Sequence, residues 1–105
     1  MFADDVDSAL VEDIEKHLRP HSMLAARSPQ PHPAWADAAF KGRLAFIVLT
    51  EDQAIPKEGQ YGMMAATGQQ WIVKEMVCSH CAPFLNRTEE TIRLVKKINE
   101  EFIQN

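Results

Sequence analysis

The chain has two cysteines, no apolar run longer than the six residues of 44–49, and fewer basic than acidic side chains. Each shortage excludes a class of protein. Cys78 and Cys81 are too few to staple a secreted miniprotein, so the thiols are expected to be free and the compartment reducing. Spanning a bilayer takes about 20 apolar residues, so no membrane partner is expected. With Lys plus Arg at 11 against Asp plus Glu at 15, the net charge is −4. That balance argues against nucleic acid as a partner, because such proteins present a basic face. Asp4, Asp5 and Asp7 stand where a secretory signal would carry basic residues, and a cytoplasmic location is the expectation.

What is present suits one small folded domain: 105 residues, 46% of them hydrophobic and 25% charged. The charge is uneven. Residues 1–40 hold seven acids and three bases, and residues 41–105 hold eight of each. The acidic excess in the opening segment reads most simply as a solvated helix face.

Periodicity and punctuation give the element order. Residues 6–18 place Leu10, Val11, Ile14 and Leu18 on one helical face, with Asp7 as cap, Val6 and Val11 as a hydrophobic staple, and Pro20 as the stop. Residues 19–34 carry four of the six prolines and are expected to cross the surface in irregular, extended form. A short helix is expected over 33–40. Residues 44–50 and 71–77 read as strands, the first buried on both faces as in a parallel sheet. A helix over 56–66, opened by Pro56 and closed by Gly68, makes them a β-α-β unit. A loop over 78–85 leads to a final helix over 87–102. Asn86 and Glu89 suit a capping box there, Glu89 and Arg93 an i,i+4 pair, and Ile92, Val95, Ile98 and Phe102 an apolar stripe. The fold class is therefore α/β: a short parallel β-α-β core with flanking helices. Residues 1–43 form a helix and Pro-rich connecting segment, and residues 44–105 the β-α-β-α portion. Two parallel strands do not make a stable core alone. Further strands must come from upstream chain, a second copy or a partner, and self-association through the open sheet is expected.

In a parallel α/β sheet the functional crevice lies beyond the strand C-termini. Asp52 follows the first strand and His80 the second, so neighbouring strands would bring the two together. A carboxylate beside an imidazole is the orienting half of a nucleophilic triad: the acid fixes the tautomer and the imidazole takes a proton from the nucleophile. Each residue alone is more often a solvated or capping loop residue.

Residues 44–104 resemble the C-terminal end of an α/β-hydrolase-fold enzyme. The similarity is to the esterase-like branch that includes methylesterases, hydroxynitrile lyases and fungal and bacterial homologues. The matching residues are Phe46-Ile47-Val48-Leu49-Thr50-Glu51-Asp52-Gln53-Ala54-Ile55-Pro56 with Gln60, and Cys78-Ser79-His80-Cys81-Ala82-Pro83-Phe84-Leu85. Leu18-Arg19-Pro20-His21-Ser22 and Pro33-Ala34-Trp35 resemble the return from the lid to the sheet, which makes residues 1–43 lid-like. The resemblance implies Asp52 as triad acid, with Glu51 as the alternative, and His80 as base. It also implies a small-molecule, ester-like substrate and no cofactor. The chain departs from the pattern in three ways. Cys81 adds a residue before Pro83, which would shift the imidazole or bulge the loop. Cys78 replaces a small residue. No G-x-S-x-G nucleophile turn or oxyanion glycine loop occurs, and Ser8, Ser22, Ser28 and Ser79 all lie outside such a setting. A truncated or degenerate hydrolase, inactive alone, is the expectation.

Two rival readings exist. Cys78-x-x-Cys81 with His80 suggests metal or redox chemistry, but a structural zinc needs four ligands, which only His17, His21 or His32 could complete. The other rival is a non-enzymatic interaction module whose acidic first helix docks on a basic partner. Met63, Met64 and Met76 read as core filler, and Trp35 and Trp71 as packing anchors.

Overall fold

The computed structural model describes residues 2–104, which form a mixed α/β domain. Helix α1 (Ser8–Glu15) starts at Asp7, whose carboxylate accepts from the Ala9 amide at 3.2 Å. It stops short of the expected Leu18. The last turn tightens, with His17 N–H bonding Ile14 O and Leu18 N–H bonding Glu15 O, and Leu18 is exposed. Pro20 disfavours helical backbone at Arg19 and so bars the helix from continuing beyond this turn. Val6 is buried, and Leu10 and Val11 pack with it against Met76, Cys78 and Ala82.

The Pro-rich connection is less irregular than its composition suggests. Helix α2 (Met23–Arg27) forms there, because Ser22 Oγ accepts from the Ala25 amide and supplies the missing cap. Backbone at Ser28 and at Pro33 is extended, as expected. The single helix expected over 33–40 is two 3-10 turns, Ala34–Ala36 and Ala38–Phe40. Asp37 separates them by taking extended backbone and capping the second turn through Ala39 N–H.

Strands β1 (Ala45–Leu49) and β2 (Ile72–Met76) pair in parallel, in register from Ala45 opposite Ile72 to Leu49 opposite Met76. Helix α3 (Lys57–Ala66) makes the crossover. Pro56 occupies its cap position, and Gly68, at φ +67°, takes the left-handed conformation that turns the chain out of it. Thr67 Oγ1 completes the turn by donating to Met64 O and accepting from Trp71 Nε1–H.

After β2 comes a loop, the short helix α4 (Ala82–Leu85), and the long helix α5 (Thr88–Gln104). The expected Asn86 cap of α5 is not formed. Asn86 ends α4, and its side chain donates to Asp5 O. The ion pair at the start of α5 joins Arg87 to Glu90 rather than Glu89 to Arg93. Lys74 Nζ meets Glu101 Oε1 at 2.8 Å and ties α5 to β2.

The strands are less enclosed than their apolar sequences imply. Val48 and Met76 are fully buried, whereas most of the remaining strand residues are half-buried and Val73 is exposed. The described residues supply no third strand, so each strand keeps one open edge. Burial is concentrated at the C-terminal end of the sheet. Among the described residues, no helix is long and apolar enough to cross a membrane.

Candidate active site

The turn after β1 is built around Asp52. Its side chain is only 3% exposed. One carboxylate oxygen accepts from Ala54 N–H at 2.8 Å and Ile55 N–H at 3.0 Å, and the other meets His80 Nδ1 at 2.8 Å. Burial works against the charged form of Asp52. The hydrogen bonds from Ile55, His80 and Ala54 outweigh it and hold the carboxyl below its ordinary value. A carboxylate can only accept, so Nδ1 carries the proton towards Asp52. In the neutral ring, Nε2 is then left as the basic nitrogen. Glu51, the alternative acid, is exposed, and its amide instead bonds Cys78 O.

A buried amide sets the height of this turn. Gln60, 4% exposed, projects from α3 to the end of β1. Its Oε1 accepts from Leu49 N–H, and its Nε2 donates to Leu49 O and to Ile55 O, each at 2.9 Å. One side chain thus satisfies Leu49 on the strand edge away from β2 and anchors the far side of the Asp52 turn. The sequence singles out Gln60 only as part of a motif and assigns it no role.

His80 sits on the loop beyond β2 with its side chain 36% exposed. Cys81, expected from the resemblance to shift the imidazole or bulge the loop, does not separate the imidazole from Asp52. Cys81 takes helical backbone and leads directly into α4. The Phe2 ring approaches the imidazole edge-on, with centroids 5.3 Å apart. Beside the pair lies an open apolar cleft of about 150 Å³ between Phe46, Leu49, Ile55 and Met63. A larger groove of about 360 Å³ lies away from the pair, where Trp35 and Trp71 flank Phe46 and Met63.

Other residues singled out in the sequence have different surroundings. Met64 and Met76 are core residues, but Met63 is exposed. Trp35 is exposed, while Trp71 is half-buried and packs edge-on against Phe46. Ser22 and Ser28 hydroxyls serve α2 locally, and the Ser79 hydroxyl donates to Asp5. Among the described residues, no serine hydroxyl is hydrogen-bonded to His80. His17 bonds the Asp13 carbonyl of its own helix.

Cys78 and Cys81 are free thiols. Burial, and then the charge of Asp5, push the Cys78 thiol up to about 11, the opposite of what a metal-binding or redox-active cysteine needs. Among the described residues, no three His, Cys, Asp or Glu side chains converge as a metal site would require.

Sequence reasoning missed Asp5. It belongs to the acidic opening segment, read as solvated, yet its carboxylate accepts from both the hydroxyl and the amide of Ser79. The two residues are 74 positions apart, and no local pattern announces such a contact.

Comparisons with protein-family models, with curated proteins and with solved structures find no match to this chain.

Proposed function

We propose that the chain carries the acid and base of an α/β-hydrolase active site of ester-hydrolase type, with Asp52 as acid and His80 as base. The observation that supports this reading is the 2.8 Å bond between Asp52 and His80 beyond the C-terminal ends of two adjacent parallel strands. The two-stranded sheet would be the last part of a larger hydrolase sheet. The Asp52 carboxylate holds Nδ1–H, leaving Nε2 to take a proton from a nucleophilic hydroxyl. No serine of this chain stands in a nucleophile turn, and the oxyanion donors that supply much of the rate enhancement are also missing from the sequence. Both must therefore be contributed from outside these residues, and the chain alone is inactive. The apolar cleft beside the pair suits the uncharged part of a small ester.

The size of the native protein tests this reading. An antibody raised against residues 87–105 should detect a species roughly two to three times the mass of this chain, the size range of a complete α/β enzyme domain. A native species of only 11.9 kDa that binds no larger partner would contradict it.

A second reading is favoured by the two open strand edges: a self-associating module without catalysis, in which a second copy pairs with the sheet. Light scattering after size exclusion distinguishes it. A dimer whose dissociation follows substitution of Val73 by proline supports it, and a monodisperse monomer opposes it.

A further inference from the structure

The residues on either side of His80 are both held by one distant segment. Ser79, 1% exposed, donates its hydroxyl to Asp5 Oδ1 and its amide to Asp5 Oδ2, the latter at 3.1 Å. Cys81 donates its amide to Phe2 O at 2.7 Å. Asn86 Nδ2, from the end of α4, donates to Asp5 O at 3.1 Å. The backbone is thus pinned immediately before and immediately after the imidazole, and the Phe2 ring rests against the imidazole itself.

We infer that Asp5 is a positioning residue for His80, an inference that rests on Asp52 and His80 being the acid and base of the proposed hydrolase. Asp5 makes no hydrogen bond to the imidazole. It acts through Ser79. A rigid Ser79 fixes the Cα–Cβ direction of His80, so the ring reaches Asp52 without searching other rotamers. Asp5 is exposed as a residue, but the partial desolvation of its carboxyl opposes the charge. The hydrogen bonds from Ser79, helped by nearby Arg87, more than offset that and keep the carboxyl below its ordinary value. Without this carboxylate, two donors of a buried residue lose their acceptor, and the loop must move to find another.

The test is the proton on His80 Nδ1, read by NMR on the chain labelled with ¹⁵N-histidine. A proton held between Nδ1 and the Asp52 carboxylate resonates far downfield and exchanges slowly. Asp52→Ala should abolish that resonance, which assigns it. Asp5→Ala should also abolish it, while the backbone amide signals of α3 and α5 stay in place. Asp5→Asn, which retains an acceptor for Ser79, should restore it. A wild-type resonance in folded Asp5→Ala would overturn the positioning role and leave the Asp52–His80 pair standing. Absence of the resonance from the wild-type chain would overturn the pair and the positioning role together. If Asp5→Ala does not fold, Ser79→Ala removes the hydroxyl donor alone. A shifted resonance there supports the inference, and an unmoved one overturns it.

Discussion

Leu49 and Met76 are register partners at the end of the parallel sheet. Asp52 lies three residues beyond Leu49, and His80 four beyond Met76. Parallel strands send their continuing chains out of the same edge, so two short loops of similar reach bring a carboxylate and an imidazole to 2.8 Å. The pair is a consequence of the register, and changes that alter the register or either loop should disperse it.

The chain should lose stability in acid. Asp52 and Asp5 both have carboxyls held below their ordinary value of 3.8 in the folded protein. Protonation therefore favours the unfolded chain. Their contribution is fully present above the unfolded value and is lost as pH falls through the lower folded values. Urea midpoints should be nearly level from neutral pH down to about 5 and then fall below about 4. Asp52→Asn should cost about 1–3 kcal/mol at pH 7 and flatten the acid limb. In that variant the amide would donate to Nδ1 and hold the ring in the other tautomer, with the proton on Nε2, so His80 would no longer present a basic Nε2.

Gln60→Ala should be among the most damaging single polar substitutions. It strips partners from Leu49 N–H, Leu49 O and Ile55 O together. A loss of about 1–3 kcal/mol is expected for leaving such groups unsatisfied. Gln60→Glu should not rescue it, because a carboxylate accepts from Leu49 N–H but cannot donate to either carbonyl. Urea unfolding of the two variants checks this, and a Glu variant as stable as wild type would contradict it.

The two cysteines should differ in reactivity. Cys78 is fully buried with its thiol pushed up to about 11, whereas Cys81 is partly exposed. Iodoacetamide followed by peptide mass spectrometry should find Cys81 alkylated first, and Cys78 only on unfolding.

The strand-helix-strand unit was legible because its signals are local: short apolar runs, Pro56 before the helix and Gly68 after it. The Asp52–His80 meeting followed from that topology. The rotation of α5 was not legible. Ile92, Val95, Ile98 and Phe102 form the apolar stripe in the sequence, yet Ile92 and Val95 are exposed. Polar Thr91 lies on the inward face instead, its hydroxyl bonding Pro83 O and its own helix at Arg87 O, together with half-buried Leu94 and buried Ile98. Asp5 was illegible for a different reason. Its role depends on a contact across the whole chain, and nothing local in the sequence sets it apart from the likewise exposed Asp4 and Asp7. Burial of both strand faces was over-read, since a run of apolar residues does not reveal whether this chain itself supplies the cover.

Purified alone, the chain should show no turnover of a simple aryl ester above that of an equal concentration of free imidazole. A general base without a nucleophile or an oxyanion site lacks the larger part of the rate enhancement. Robust turnover that disappears in His80→Ala would place a nucleophile within these residues.

Covalent labelling of the native protein with a fluorophosphonate, recovered through the 87–105 tail, tests whether Asp52 and His80 serve a triad. Asp52 and His80 can be triad members only if an activated serine accompanies them. The recovered protein should be labelled on a serine outside these 105 residues, and His80→Ala introduced into the native protein should remove the label. A recovered protein that reacts equally well with and without His80, or that reacts with no serine at all, would contradict a triad role for the pair.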